Sequence, residues 1–261
     1  MSLQDNDKLS TLLRQLPEGV AAPSVWFEAQ GYSRQLLYKY VQSGWLVKLG
    51  RGVYMRPGTT LNWQGVGLGL QRLAHLPFHL GGITAINQQG YAHYLPLGGE
   101  HVIHWFGNTA VPAWLHSVNL PQTFHFHARQ LFDDKAATVG LTELPTKTRD
   151  WTLNTSAPER AILEILYQVE QSGGISFQHA AELFEGLSVL RPAVLNELLA
   201  TCNSIKAKRM FLFLADYNQH SWVKRLERDN IMLGSGKLQL VKGGRLDKQY
   251  QITVPESFFA Y

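Results

Sequence analysis

The chain has 261 residues, 45% hydrophobic and 17% charged, a balance that supports a packed core and excludes a disordered or fibrous chain. Its formal net charge is +4, mild basicity that favours a polyanionic partner over a neutral one. A single cysteine, Cys202, excludes an internal disulfide and a cysteine-rich zinc site, and no apolar run reaches the roughly 18 to 20 residues of a membrane span.

At the N-terminus, DKLSTLLRQLP places Leu9, Leu12, Leu13 and Leu16 at helical spacing, with Pro17 and Gly19 ending the helix. The residues before it are polar and acidic where a secretory signal is basic and then apolar, so a reducing cytoplasm is the expected location. APSVWFEAQG reads as a short helix opened by Pro23 and Ser24 and stopped by Gly31. YSRQLLYKYVQSG follows, with Ser33 as N-cap and Gly44 as the C-terminal stop. On this third helix Leu36, Leu37, Tyr40 and Val41 form the apolar face, and Arg34, Gln35, Tyr38, Lys39 and Gln42 the other. WLVKLGRGVYMRP then alternates like two strands around Gly50-Arg51-Gly52. Three short helices and a hairpin within residues 1–60 predict a winged helix-turn-helix, whose last helix enters the major groove.

Charge sharpens that expectation. No Asp or Glu occurs between Glu28 and Glu100, while Arg34, Lys39, Lys48, Arg51, Arg56 and Arg72 all fall there. A solvated face normally mixes both signs, so this stretch suggests an anionic partner, and charge, helix order and wing together make double-stranded DNA the expected one. Ser33, Arg34, Gln35 and Tyr38 are the expected base readers, since Arg and Gln pair bidentately with guanine and adenine edges. Lys39, Lys48, Arg51 and Arg56 are the expected phosphate contacts. Trp45 and Leu46 are expected in the core beneath the wing, and Arg72 tests how far the basic surface extends.

From Leu61 the texture changes. LNWQGVGLGLQRLAHL reads as an amphipathic helix despite its glycines, and ITAINQQGYAHYL as another. HVIHWFG, QTFHFHA and ATVGLTEL alternate like strands, with VPAWL between the first two. SAPERAILEILYQVEQSGG is a strong helix with Ser156 as the expected cap and Pro158 in its first turn. Helices are also expected in SFQHAAELFEGL, RPAVLNELLATC and IKAKRMFLFLADY. The chain closes on KLQLVKGGRLDKQYQITVP, read as a hairpin turning at Gly243-Gly244. The fold class is therefore α+β: an N-terminal winged helix at 1–60, then a larger mixed domain at 61–261.

The segments that imitate catalytic or metal motifs are not supported as such. GSGK at 234–237 lacks the Walker glycine, with Ile231 in its place, and Leu238 stands where Ser or Thr follows the lysine. His125 and His127 share one strand face, but His101 and His104 point to opposite faces. There is no HExxH or GxSxG, and Cys202 sits on an apolar helical face as a small hydrophobe. No catalytic residue, metal site or cofactor is expected. Two rivals to DNA binding stay open: a protein-interaction module using the basic face, and a nucleic-acid enzyme with an unrecognised histidine site.

Five segments, taken together, carry a family resemblance: GGITAINQQGYAHYL at 81–95, VPAWL at 111–115, SAPERAILEIL at 156–166, LFEGLSVLRPAVLNELLATCNSIKAKRMFLFLA at 183–215 and LGSGKLQLVKGGRLDKQYQITVP at 233–255. In this order they resemble the AbiEi family, antitoxins and transcriptional regulators of type IV, or abortive-infection, toxin–antitoxin systems. The resemblance implies a bacterial, non-enzymatic antitoxin whose winged helix binds promoter inverted repeats and represses its own operon. It implies antagonism of a neighbouring nucleotidyltransferase-like toxin, by direct contact or by opposing its effect. Lys206, Lys208, Arg209, Lys237, Lys242 and Arg245 are then candidates to hold nucleic acid or an acidic partner, with an ordinary solvated surface as the alternative.

Overall fold

A computed structural model describes residues 3–91, 102–128, 130–171 and 174–259. The fold is α+β, and the chain divides into two compact units. The first comprises Met1–His79, His101–Ala128 and Glu143–Asn154; the second comprises Leu80–Glu100, Arg129–Thr142 and Thr155–Tyr261.

The first unit opens as the winged helix. Helix α1 (Leu3–Gln15) buries Leu9 and Leu12, with Leu16 just beyond it. Strand β1 (Ala22–Pro23) leads directly into α2 (Ser24–Ala29), which buries Phe27. Helix α3 (Arg34–Gln42) starts at Ser33, whose hydroxyl accepts from the Leu36 amide at 3.2 Å. Gly31 and Gly44 end α2 and α3 in left-handed conformation, φ 80° and 74°, which costs glycine least. The wing is β2 (Val47–Gly50) and β3 (Val53–Met55), antiparallel, with β3 between β1 and β2. A bulge separates the Lys48↔Tyr54 and Gly50↔Val53 pairs.

Beyond the wing, α4 (Trp63–Leu68) is capped by Asn62 Oδ1, which accepts from the Gly65 amide at 2.9 Å, and runs on into a π-helical turn at Gly69–Leu73. Its glycines have a packing reason. A Cβ at Gly65 would collide with the carbonyl oxygen of Gly19, and one at Gly69 with that of Ala21. The helix thus lies directly on the backbone of residues 19–21, and Val66 and Leu70 join Ala21, Val53 and Leu115 in one cluster. Residue 60, the expected break, falls inside this shared packing.

Strand β4 (His79–Leu80) follows, then β5 (Val102–Phe106) and β6 (Thr123–His127). β5 and β6 pair in parallel, His104 opposite His125 and Phe106 opposite His127. A parallel pair needs a crossover, and the expected VPAWL insertion supplies part of it as a 3-10 helix at Ala113–Ser117. The wing rests on that turn: a Cβ at Gly50 would strike Ser117.

In the second unit, α5 (Gly82–Gln88) realises the helix expected in ITAINQQG and ends at Gly90, φ 78°; the end of that expectation, AHYL, lies outside the described residues. The chain passes between units within β4, β7 (Leu141–Pro145) and β8 (Thr152–Ser156). Thr155 pairs in parallel with Leu80. Helix α6 (Pro158–Gln168) is buried on nearly every side and packs with α7 (Phe177–Glu185), α8 (Pro192–Thr201) and α9 (Ile205–Asn218). Ile162, Leu166, Phe184, Leu198, Phe211 and Trp222 lie at their centre.

Two expectations are corrected here. Ser156 does not cap α6; Ala157 holds the N-cap position, and the Ser156 hydroxyl donates to Glu164 instead, 2.8 Å from Oε2. The C-terminal strands β9 (Leu238–Gln239), β10 (Arg245–Asp247) and β11 (Ile252–Val254) do not form a hairpin at Gly243-Gly244. β11 lies in the middle, antiparallel to β10 and parallel to β9, so the hairpin turn is at residues 248–251. That turn is anchored by Tyr250, whose hydroxyl bonds to the Asp216 carboxylate beside Arg228. Burial and the Asp216 charge push the Tyr250 phenol above its ordinary range.

The two acids and the single arginine of SAPERAILEIL serve the fold. Glu164, buried, accepts from the Gly82 amide (2.8 Å), Ser156 and Arg160 Nε (3.2 Å). Arg160 Nη1 donates to the carbonyls of Ala136, Ala137 and Val139, and its guanidinium stacks 4.6 Å over Phe132. Glu159 accepts from the backbone and guanidinium of Arg191. Burial opposes ionisation of Glu159, but Arg191 outweighs it and holds the carboxyl below its ordinary range. Glu159, Arg160 and Glu164 are thus each paired and hydrogen-bonded, the condition under which a buried charge is tolerated.

Candidate nucleic-acid interface

The first turns of α3 present one stripe. Leu36, Leu37 and Tyr40 turn inward, which by helical geometry turns Arg34 and Tyr38, and Gln35 and Lys39, outward as two i, i+4 pairs. All four are exposed, with Tyr38 at 66% and the Arg34 side chain at 88%. Ser33 is exposed too, but its hydroxyl oxygen is engaged with the Leu36 amide. The Arg34 Nε donates to Glu28 Oε1 at 3.1 Å, tying the N-terminus of α3 to α2.

On the wing, Lys48 and Arg51 are exposed on either side of the bulge, with Gly52 taking the left-handed turn at φ 73°. Leu46 enters the core as expected, but Trp45 does not: it is 42% exposed, beside Val47 at 41%. The chain reverses at Gly44, and the amides of both Trp45 and Leu46 donate to the Tyr40 carbonyl. Only one of two neighbouring residues then faces inward. Trp45 thus adds an aromatic surface next to the basic one, which alternation alone did not reveal.

Arg56 stands apart from the other expected contacts. Its Nη1 donates to the Leu13 carbonyl at 2.9 Å and its Nη2 pairs with Glu18 at 3.3 Å. Arg149 Nη1 likewise donates to the Arg14 carbonyl at 2.6 Å. Two guanidinia therefore satisfy the terminal carbonyls of α1, where a cation also suits the helix dipole. Arg72 lies in the π turn and donates to Thr152 through Nη2 at 2.8 Å.

The C-terminal basic residues divide into two sets. Lys208 and Arg209 are buried at 4% and 2% exposure, and Lys206 Nζ donates to the Val169 carbonyl at 2.8 Å. Arg209 donates to the carbonyls of Leu233 (2.8 Å) and Gly236 (2.7 Å), so the GSGK turn wraps carbonyls around a cation rather than amides around a phosphate. Its glycines, Gly234 and Gly236, are both left-handed. Lys237, Lys242 and Arg245 remain exposed.

Among the described histidines, His104, His125 and His127 cluster on β5 and β6; His101 lies outside the described residues. His104 Nδ1 and His127 Nε2 face each other at 3.0 Å, and the two rings are nearly coplanar in orientation at 4°. His125 meets His104 edge-on. Burial, then the neighbouring His127 and His125, lower the His104 pKa to about 4. No group of three or more His, Cys, Asp or Glu among the described residues is arranged to hold a metal. Cys202 is buried, and burial raises its thiol pKa. No described helix is long and apolar enough to cross a membrane.

Known proteins give a consistent answer. Residues 5–97 match the family model described as "Transcriptional regulator, AbiEi antitoxin N-terminal domain", and residues 100–255 match "Transcriptional regulator, AbiEi antitoxin, Type IV TA system". No curated protein matches the chain. The crystal structure of the RV2827C protein from Mycobacterium tuberculosis is similar in fold, with a TM-score of 0.59 at 16% identity over 97% of this chain and 91% of that one. On the two family matches, the chain belongs to the AbiEi antitoxins, the transcriptional regulators of type IV toxin–antitoxin systems.

Proposed function

We propose that this antitoxin represses its own operon by binding promoter inverted repeats, with α3 in the major groove and the wing on the flanking backbone. The observation that carries the reading is the exposed stripe of Arg34, Gln35, Tyr38 and Lys39 on a capped helix, with Lys48 and Arg51 exposed on the adjoining wing. Arg34 and Gln35 read bases, Ser33 fixes the start of the helix, and Tyr38 adds an apolar contact in the groove. Lys39, Lys48 and Arg51 contact phosphates and set register. Arg56 supports the reader from behind through α1. The protein is not an enzyme, acts in the cytoplasm, and also opposes a nucleotidyltransferase-like toxin encoded beside it.

The test is one strain carrying the toxin gene and a promoter–reporter fusion. Arg34→Ala with Lys39→Ala is expected to lose repression while still rescuing growth. Repression that persists in this variant would remove α3 from the reading; loss of growth rescue would mean that the two activities share this surface.

A further inference from the structure

The first unit contains a cavity that the DNA-reading surface does not use. It is a largely open depression of about 340 Å³, lined by Trp26 of α2 and Gln30 just beyond it, Gln15 of α1, Arg72, Leu73 and His75 around the π turn, and Trp151. That volume suits a small organic ligand. No carboxylate lines it.

The cation in this cavity is held in place. Arg72 Nη2 donates to Thr152 Oγ1 at 2.8 Å and Nε to the Thr152 carbonyl at 3.4 Å, which fixes one edge of the guanidinium on the residue following Trp151. The preceding residue, Gln71, accepts from the Asn154 amide at 2.8 Å and donates to the carbonyls of Phe78 and Asn154. These bonds brace the π turn against strand β8. His75 takes a left-handed backbone at φ 51°, a conformation that costs a non-glycine residue free energy, and π turns and such outliers gather at functional sites. Both irregularities fall in the few residues that bring Arg72 and His75 to the lining of the cavity.

We propose that this cavity binds a nucleotide-like ligand: a flat heteroaromatic ring carrying an acidic group. The ring contacts the indoles of Trp26 and Trp151, whose π faces and edges favour ring-on-ring contact. The acidic group meets the braced Arg72 fork, which suits phosphate or carboxylate. The carboxamides of Gln15 and Gln30 offer donors and acceptors to the edge of the ring. The site is separate from the proposed DNA-reading residues, so the proposal stands or falls independently of promoter binding.

Isothermal titration calorimetry on the full chain tests it with four nucleoside 5′-monophosphates, the matching nucleosides, ribose 5-phosphate and inorganic phosphate. At least one nucleotide is expected to bind, with its nucleoside and ribose 5-phosphate each weaker by roughly tenfold or more. Arg72→Gln is expected to remove the preference for nucleotide over nucleoside, and Trp151→Leu to weaken both. The proposal is overturned if no nucleotide binds, if inorganic phosphate binds as tightly as the nucleotides, or if folded Arg72→Gln binds them unchanged. If either variant fails to fold, the comparison of ligands on the unaltered chain still decides.

Discussion

The guanidinium of Arg34 donates to the carboxylate of Glu28 at 3.1 Å. Glu28 is the last acid before the acid-free run that ends at Glu100, so the first cation of the reading helix is partly neutralised by the helix before it. An exposed pair of this kind contributes only about 0 to 1 kcal/mol, and under the proposed function DNA displaces it for Arg34 to reach a base. Glu28→Gln is therefore expected to tighten promoter binding by up to about fivefold, with little change in melting temperature. Fluorescence anisotropy with a labelled promoter duplex measures the first, and weaker binding by this variant would mean that the pair preorganises Arg34.

Gly65 gives a stability test with opposing terms. In an exposed helix Gly→Ala stabilises by about 1 kcal/mol. Here the new methyl would meet the Gly19 carbonyl, which is backbone and cannot swing aside. Overpacking of that sort costs about 1 to 3 kcal/mol, so Gly65→Ala is expected to destabilise the chain in urea titration. The same packing means that residues 61–261 expressed alone lose the surface on which α4 rests. That fragment is expected to be less soluble and more easily proteolysed than the full chain, so point substitutions are the better way to separate the two activities.

Removing one partner of the buried Arg160–Glu164 pair takes away a charge-assisted bond of 3.2 Å from a site shielded from water. Arg160→Met is expected to cost about 3 to 5 kcal/mol, enough to lower soluble yield sharply. Proposed DNA-contacting side chains are not part of this pair, so whatever folds should bind promoter DNA normally. A melt unchanged from the parent would contradict the stabilising role of this pair.

His104 gives the chain an acid-sensitive term. Its folded pKa, about 4, lies below the ordinary histidine value of 6.5. The unfolded chain therefore binds more protons between those values, and stability falls as pH drops from about 6.5 toward 4. The full effect is on the order of 3 kcal/mol. Melting temperature measured from pH 7.5 to 4.5 is expected to decline more steeply for the parent than for His104→Gln; parallel curves would contradict it.

The winged helix was legible because local rules agree there. Ser33 caps, Gly31 and Gly44 stop, and the apolar spacing picks out Leu36, Leu37 and Tyr40, all found inward. The glycines of α4 were visible as an oddity, but only the position of the 19–21 backbone explains them. Alternation located the final strands and not their partners, since a parallel β9–β11 pair is a tertiary fact. The charge of Lys208 and Arg209 suggested a surface; α9 is instead enclosed, and Arg209 serves three carbonyls. Nothing in the sequence brings Trp26 and Trp151, 125 residues apart by their numbers (151 − 26), to one cavity.

The most direct measurement is promoter affinity as a function of salt for the parent chain and for Arg34→Ala with Lys39→Ala, against the promoter inverted repeat and a scrambled duplex. The account expects the variant to lose about tenfold or more on the inverted repeat. Its salt slope should flatten by roughly one unit, because Lys39 is the proposed phosphate contact of the two and each such contact releases about one counterion. Affinity for the scrambled duplex should fall less. An unchanged affinity and slope on the inverted repeat, in a variant that melts like the parent, would contradict the assignment of α3 as the reading helix.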